Sequence, residues 1–96
     1  MIFEGCECDA AKSERCLTQP GFDFEFAARL FDESEYWEER SRQRHREPRF
    51  VSVGRVDELL LAVVWTPRGS RRRIISARRA SRRERHAYRQ ILEAKR

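Results

Sequence analysis

Residues 71–89 read RRRIISARRASRRERHAYR, nine arginines set around the short apolar run Ile74-Ile75-Ser76-Ala77. The run has the length and β-branched content of a strand. Directly after it, Ser81 and Glu84 match the S/T-x-x-E capping box, in which each residue satisfies a backbone N–H that the first helical turn leaves without a partner. The stretch is therefore predicted to be a strand over RRRIISARR followed by a helix from Arg82 onward. Alternation along the strand sends Arg78 and Arg79 to opposite faces at its C-terminal end. On the helix, Ala87, Tyr88, Ile91 and Leu92 share one side, while Arg82, Arg85, His86 and Arg89 share another. Because the chain turns at Ala80-Ser81, Arg82, Arg83 and Arg85 return close to the end of the strand.

Working towards the N-terminus, LLLAVVWT (59–66) is apolar almost throughout, as a central strand covered on both faces would be. RFVSVGR (49–55) alternates Phe50, Ser52 and Gly54 against Val51, Val53 and Arg55. The links VDE and PRGS are short turns, so these strands and the arginine strand are expected to form an antiparallel meander. Residues 33–48 have no apolar period and read as a polar connection that carries His45 between Arg44 and Arg46.

Earlier still, MIFEG reads as a short first strand, and Asp9 as the N-cap of a helix over AAKSERCLT that Pro20 and Gly21 stop. Asp23 caps a second helix, with Phe24, Ala27, Ala28 and Phe31 on one face, ending near Asp32. The predicted order is β-α-α-β-β-β-α over a single domain, residues 1–96. The expected fold is α+β: a three- to four-stranded, mainly antiparallel sheet with two N-terminal helices and one C-terminal helix.

Of the 21 basic residues, 19 are arginine. Arginine's planar fork binds phosphate bidentately and keeps its charge when partly buried. Residues 1–39 carry 11 acidic and 3 basic groups, a net of −8, and residues 40–96 carry 5 acidic and 18 basic, a net of +13. So basic a C-terminal part suits a polyanion or an acidic protein partner. No apolar run approaches the roughly 20 residues of a membrane span, and the N-terminus lacks signal-peptide features. The chain is expected to be cytoplasmic, without membrane association.

Cys6, Cys8 and Cys16 lie in the first 16 residues with no fourth metal ligand nearby, so they are expected to be reduced thiols packed as small apolar residues, with no metal and no cofactor. There is no Gly-rich phosphate loop, HExxH motif or serine-nucleophile signature.

Clustered arginines serve as a solvated face, as a docking surface for an acidic partner, or in metal-free RNA cleavage, in which the 2′-hydroxyl attacks the adjacent phosphorus. The protein must supply positive charge for the transition state, a base and an acid. Arginine supplies the first. His45, His86, Glu84 and Tyr88 are the proton-transfer candidates, against simpler roles: a helix cap for Glu84, core for Tyr88, a solvated helix face for His86.

The order of motifs resembles the BrnT family, toxins of type II toxin–antitoxin systems. The resemblance rests on CECDAAK (Cys6 to Lys12), FEFAARLFD (Phe24 to Asp32), EPRFVSVGR (Glu47 to Arg55), LLLAVVWTPRG (Leu59 to Gly69) and RIISARRASRRERHAY (Arg73 to Tyr88). It implies a RelE-like fold and metal-independent endoribonuclease activity that inhibits translation. It further implies neutralisation by a BrnA-like ribbon-helix-helix antitoxin, with operator DNA bound only through the antitoxin complex. Carried over by position, Arg78, Arg79, Arg82, Arg83, Glu84 and Tyr88 match the C-terminal motif, and Arg68 matches the turn before it.

The candidate set is then Arg78, Arg79, Arg82, Glu84, Tyr88 and His45 for catalysis, with Arg68, Arg73, Arg83, Arg85 and Arg89 for RNA binding. Three departures stand out. The family's tryptophan before the first Asp is Cys8 here, its K-H-G is Gln19-Pro20-Gly21, and Trp65 stands where the family has tyrosine. The second departure motivates an alternative reading, a non-catalytic toxin homologue that acts as a basic RNA-binding or antitoxin-binding module.

Overall fold

The arginine-rich strand is the hinge of the whole architecture, because it pairs in both directions. In a computed structural model of the protein, which describes residues 1–3, 5–32, 36–41 and 46–94, it spans Arg71–Arg79 (β6). On one side it pairs antiparallel with β5 (Leu59–Arg68), which pairs with β4 (Phe50–Val56), giving the expected meander. On the other side it pairs parallel with β2 (Cys6–Cys8), through Cys6↔Arg72, Glu7↔Arg73 and Cys8↔Ile74. β1 (Ile2–Phe3) and β3 (Tyr36–Arg40) are the sheet's outer strands, and the order is β1-β2-β6-β5-β4-β3.

This corrects the expected fold class. Among the described residues the sheet has six strands rather than three or four, and it is mixed. The helices are a short N-terminal one, α1 (Ala10–Thr18), a middle one, α2 (Phe24–Ala27), and a C-terminal one, α3 (Arg82–Ala94), not two N-terminal helices and one C-terminal. The predicted second helix is a single α-turn at Asp23, whose side chain accepts from Phe26 N–H, continued by a 3-10 segment over Ala28–Asp32.

Part of the predicted polar connection is also a strand. Tyr36–Arg40 pairs with β4 from Tyr36↔Gly54 to Arg40↔Phe50. Its alternation puts Tyr36 on one face of the sheet and Trp37 on the other, with two glutamates beyond them. Charge of this kind blunts an outer strand against pairing with another chain. His45 lies outside the described residues.

The sheet is covered on both faces. On one, α1, α2 and the 3-10 segment pack on Cys6, Cys8, Val56, Leu61, Val63, Trp65, Ile74 and Ala77. All three cysteines are buried in this core, and burial pushes the thiols of Cys8 and Cys16 up. On the other face, α3 lays Tyr88 and Leu92 on Val53 and Ala62, beside Trp37, Val51, Leu60 and Ala80.

A bulge in the β5–β6 ladder, opposite Val64 and Trp65, leaves Ile75 without a direct partner, so Ile74 and Ala77 reach the same core although three residues apart. Bulges of this kind re-aim the side chains around them. Gly54 marks a second special position. A Cβ there would lie 3.0 Å from Tyr36 Cβ and 3.2 Å from Leu30 Cβ, so glycine allows the 3-10 segment and β3 to close over β4.

Candidate functional site

Directly opposed residues in a sheet project to the same face, so the strand registers sort the arginines. Arg78 opposes Ala62, Arg73 opposes Thr66 and Arg71 opposes Arg68, which places all four arginines on the α3 face. Arg79 opposes Leu61 and projects from the face covered by α1 and α2. The predicted split of Arg78 and Arg79 to opposite faces is thus present. Arg71 was not a candidate, although the same alternation that links it to Arg73 was available in the sequence.

Arg72 leaves the group. Its guanidinium lies 4.2 Å from the centroid of Phe31 and 5.0 Å from that of Trp65, on the opposite face from Arg71 and Arg73.

At the C-terminal end of β6 the chain reverses through Ala80 and Ser81 into α3, and one carboxylate ties the reversal together. Glu84 is 3% exposed. Its Oε1 accepts from Ser81 N–H at 2.8 Å, and Ser81 Oγ accepts from Glu84 N–H at 3.2 Å, which completes the capping box. The same carboxylate accepts two bonds from Arg78, Nη1 to Oε1 at 2.6 Å and Nη2 to Oε2 at 3.0 Å. The Arg78 hydrogen bond, helped by Ser81 and opposed by burial, holds the Glu84 carboxyl at about 2. The same bond raises Arg78 further above its already high value.

α3 packs mainly over β3 and β4. Beyond it, Arg68 and Arg71 are exposed and Arg73 is half-buried. Along the helix, Arg82, Arg83, Arg85, His86 and Arg89 are exposed, while Tyr88 is 7% exposed within the core under α3. Carboxylates reach some of these cations: Glu47 to Arg68 at 3.3 Å, Glu7 to Arg73 at 3.6 Å and Glu39 to Arg83 at 2.8 Å. Arg71, Arg79, Arg82, Arg85 and Arg89 form no ion pair with any described residue. Of the pairs formed, Arg68–Glu47 is exposed on both sides, and a pair of that kind is weak and exchanges readily for a phosphate. The site is thus an open, cationic strip along β5, β6 and α3, with one buried carboxylate at its corner.

The departures from the family pattern have structural counterparts. Cys8 is core. Trp65 is core too, donating from Nε1 to Ser52 Oγ at 2.8 Å, and Ser52 donates to Glu38 Oε1 at 2.7 Å. Gln19 follows the last turn of α1, where its N–H donates to Arg15 O, and Pro20 comes directly after it. Among the described residues, no group of three or more His, Cys, Asp or Glu side chains is placed to hold a metal, and no helix is long and apolar enough to cross a membrane.

Comparison with known proteins adds one match. A family model described as the ribonuclease toxin BrnT of type II toxin–antitoxin systems matches residues 9–84, from the cap of α1 to the buried carboxylate of α3. No curated protein matches the chain.

Proposed function

The chain belongs to the BrnT family of ribonuclease toxins of type II toxin–antitoxin systems, and from that premise we propose that it is a metal-independent endoribonuclease acting on RNA in the cytoplasm. In this reading it inhibits translation and is neutralised by a BrnA-like ribbon-helix-helix antitoxin, which alone brings operator DNA into the complex. The observation that carries the proposal is the strip of Arg68, Arg71, Arg73 and Arg78 on one face of the sheet, continued by Arg82, Arg85 and Arg89 along α3. Guanidinium groups in this arrangement bind successive phosphates and offset the charge that builds at phosphorus as the 2′-hydroxyl attacks. Arg79 adds a cation from the other side of the same strand end.

Glu84 acts here as a positioning residue. A carboxylate held at about 2 is a weak base near neutrality, and both its oxygens are already engaged by Arg78 and Ser81. It fixes the Arg78 fork at the end of β6. Proton transfer then falls to His45 or to the Tyr88 hydroxyl.

The engagement of Glu84 and the burial of Tyr88 also favour a second reading, a module that binds RNA or the antitoxin without cutting. One experiment separates the two: purified protein incubated with RNA, with and without EDTA. Cleavage that persists in chelator and leaves 2′,3′-cyclic phosphate ends supports the ribonuclease. Arginine-dependent binding with intact RNA supports the module. Cleavage only with added divalent metal refutes the metal-independent mechanism.

A further inference from the structure

We propose that the groove between α1 and the bulged half of β6 is a nucleotide subsite for single-stranded RNA, with Lys12 and Arg15 holding a phosphate and an apolar floor receiving the base. It rests on the RNA-binding reading above and extends it to the opposite face of the sheet.

The groove encloses about 300 Å³ and is lined by Lys12, Arg15, Gln19, Phe24, Ile75 and Ala77 among others, with no acidic residue. That volume is at the lower end of ordinary small-ligand sites. An apolar surface rimmed by cations is what single-stranded nucleic acid requires, since every base has an apolar face and every linkage a negative charge. Lys12 and Arg15 are exposed and form no ion pair with any described residue. Asp9, the N-cap of the same helix, is committed to the N–H groups of Ala11 and Lys12, and Glu14, the acid within the helix, does not line the groove. Gln19 places an amide at the rim, able to donate to and accept from a base edge. Another cavity, about 450 Å³, sets Asp23, Glu25 and Asp32 against Arg29 and Arg72 in its wall, which suits a phosphate less well.

The groove and the arginine strip lie on opposite faces of the sheet, on either side of an open stretch of its edge. β2 pairs with β6 only as far as Cys8↔Ile74, so beyond Ile74 no described strand covers that side of β6. Cys16 Sγ donates to Ala77 O at 3.3 Å across this stretch and holds α1 against it. Arg78 projects from one face here and Arg79 from the other, and Arg79 lies two residues past Ala77, roughly 7 Å along the strand. An RNA strand crossing the edge therefore meets Arg78, then Arg79, then the groove.

The test uses the whole chain and a fluorescein-labelled six-nucleotide RNA carrying a 2′-O-methyl at every sugar, which blocks cleavage. Lys12→Ala with Arg15→Ala is expected to fold normally, because both side chains are exposed and alanine favours a helix. Its affinity should fall about tenfold, and the salt slope should become shallower by about 0.7 for the one lost single-strand phosphate contact. In the wild type, uridine 3′-monophosphate should shift the amide resonances of residues 12–19 and 75–77. If Lys12→Ala with Arg15→Ala binds like wild type while Arg71→Ala with Arg73→Ala loses affinity, the subsite is refuted and RNA binding on the α3 face stands. If the wild type binds no RNA, both fall.

Discussion

Arg78 and Glu84 are joined by two hydrogen bonds, at 2.6 and 3.0 Å, across the reversal between the last strand and the last helix. The pair is asymmetric in exposure. Glu84's side chain is 4% exposed and Arg78's 47%, so the carboxylate is desolvated while the guanidinium keeps one side open to a ligand. A single buried acid thereby caps a helix and aims a cation.

Acid stability should report this pair directly. Glu84 titrates at about 2 in the folded protein against an ordinary 4.5, so the unfolded chain binds the proton more readily and stability rises with pH between those values. The contribution is complete above about pH 4.5 and is lost as pH falls towards 2, with an upper bound of about 3 kcal/mol for such a shift. Urea midpoints measured from pH 7 to pH 2.5 should fall more steeply for wild type than for Glu84→Gln.

Glu84→Gln itself should mainly affect the fold. Glutamine can keep the capping box but not the charged fork to Arg78, and the expected loss at pH 7 is about 1–3 kcal/mol. For a domain of this size that is a drop in Tm of about 4–8 °C per kcal/mol. Cleavage measured well below Tm should fall less than tenfold. A loss of a hundredfold or more with unchanged Tm would identify Glu84 as the base instead.

On the open face, Arg71→Ala with Arg73→Ala should weaken RNA binding by at least tenfold and flatten its salt dependence. Neither side chain is part of a core cluster, so Tm should barely move. Titration at three salt concentrations, with thermal melts of the same samples, checks both statements.

Ser52 is fully buried between Trp65 and Glu38. Ser52→Ala leaves the indole N–H buried without its acceptor, at a cost of about 1–3 kcal/mol. Tm and tryptophan fluorescence should both change, while the arginine strip on the opposite face and its RNA affinity should not.

Gly54→Ala places a methyl group against Tyr36 and Leu30 at 3.0–3.2 Å, closer than such contacts normally come. The expected cost is about 1–3 kcal/mol of overpacking. Hydrogen exchange should localise the loosening to β3 and the adjoining strand β4.

The elements that were legible are those specified by neighbours in the chain. The capping box at Ser81 and Glu84 needs only four residues to be recognised, and it is present with both reciprocal bonds. The apolar run of β5 and the turns that flank it likewise encode the meander locally. β3 was hidden because an outer strand buries little, and Glu38, Glu39 and Arg40 mask the alternation of Tyr36 and Trp37. β2 was hidden for a different reason: three residues carry no readable period, and their pairing with Arg72–Ile74 joins distant parts of the chain.

For the site, alternation alone was enough to separate Arg78 from Arg79 and would also have joined Arg71 to Arg73. It could not show that Arg72 stacks on Phe31 and Trp65, or that Glu84 is buried beneath Arg78. By itself, the sequence determined an arginine strand running into a capped helix, and with it a family of ribonuclease toxins, because strand period, helix cap and motif order are properties of neighbouring residues. Only the tertiary structure decided which cations share a face, which carboxylates reach them, and that α1 stands over the open edge of β6. Those depend on contacts such as Cys16 to Ala77, 61 residues apart, formed only when the sheet buries its apolar faces.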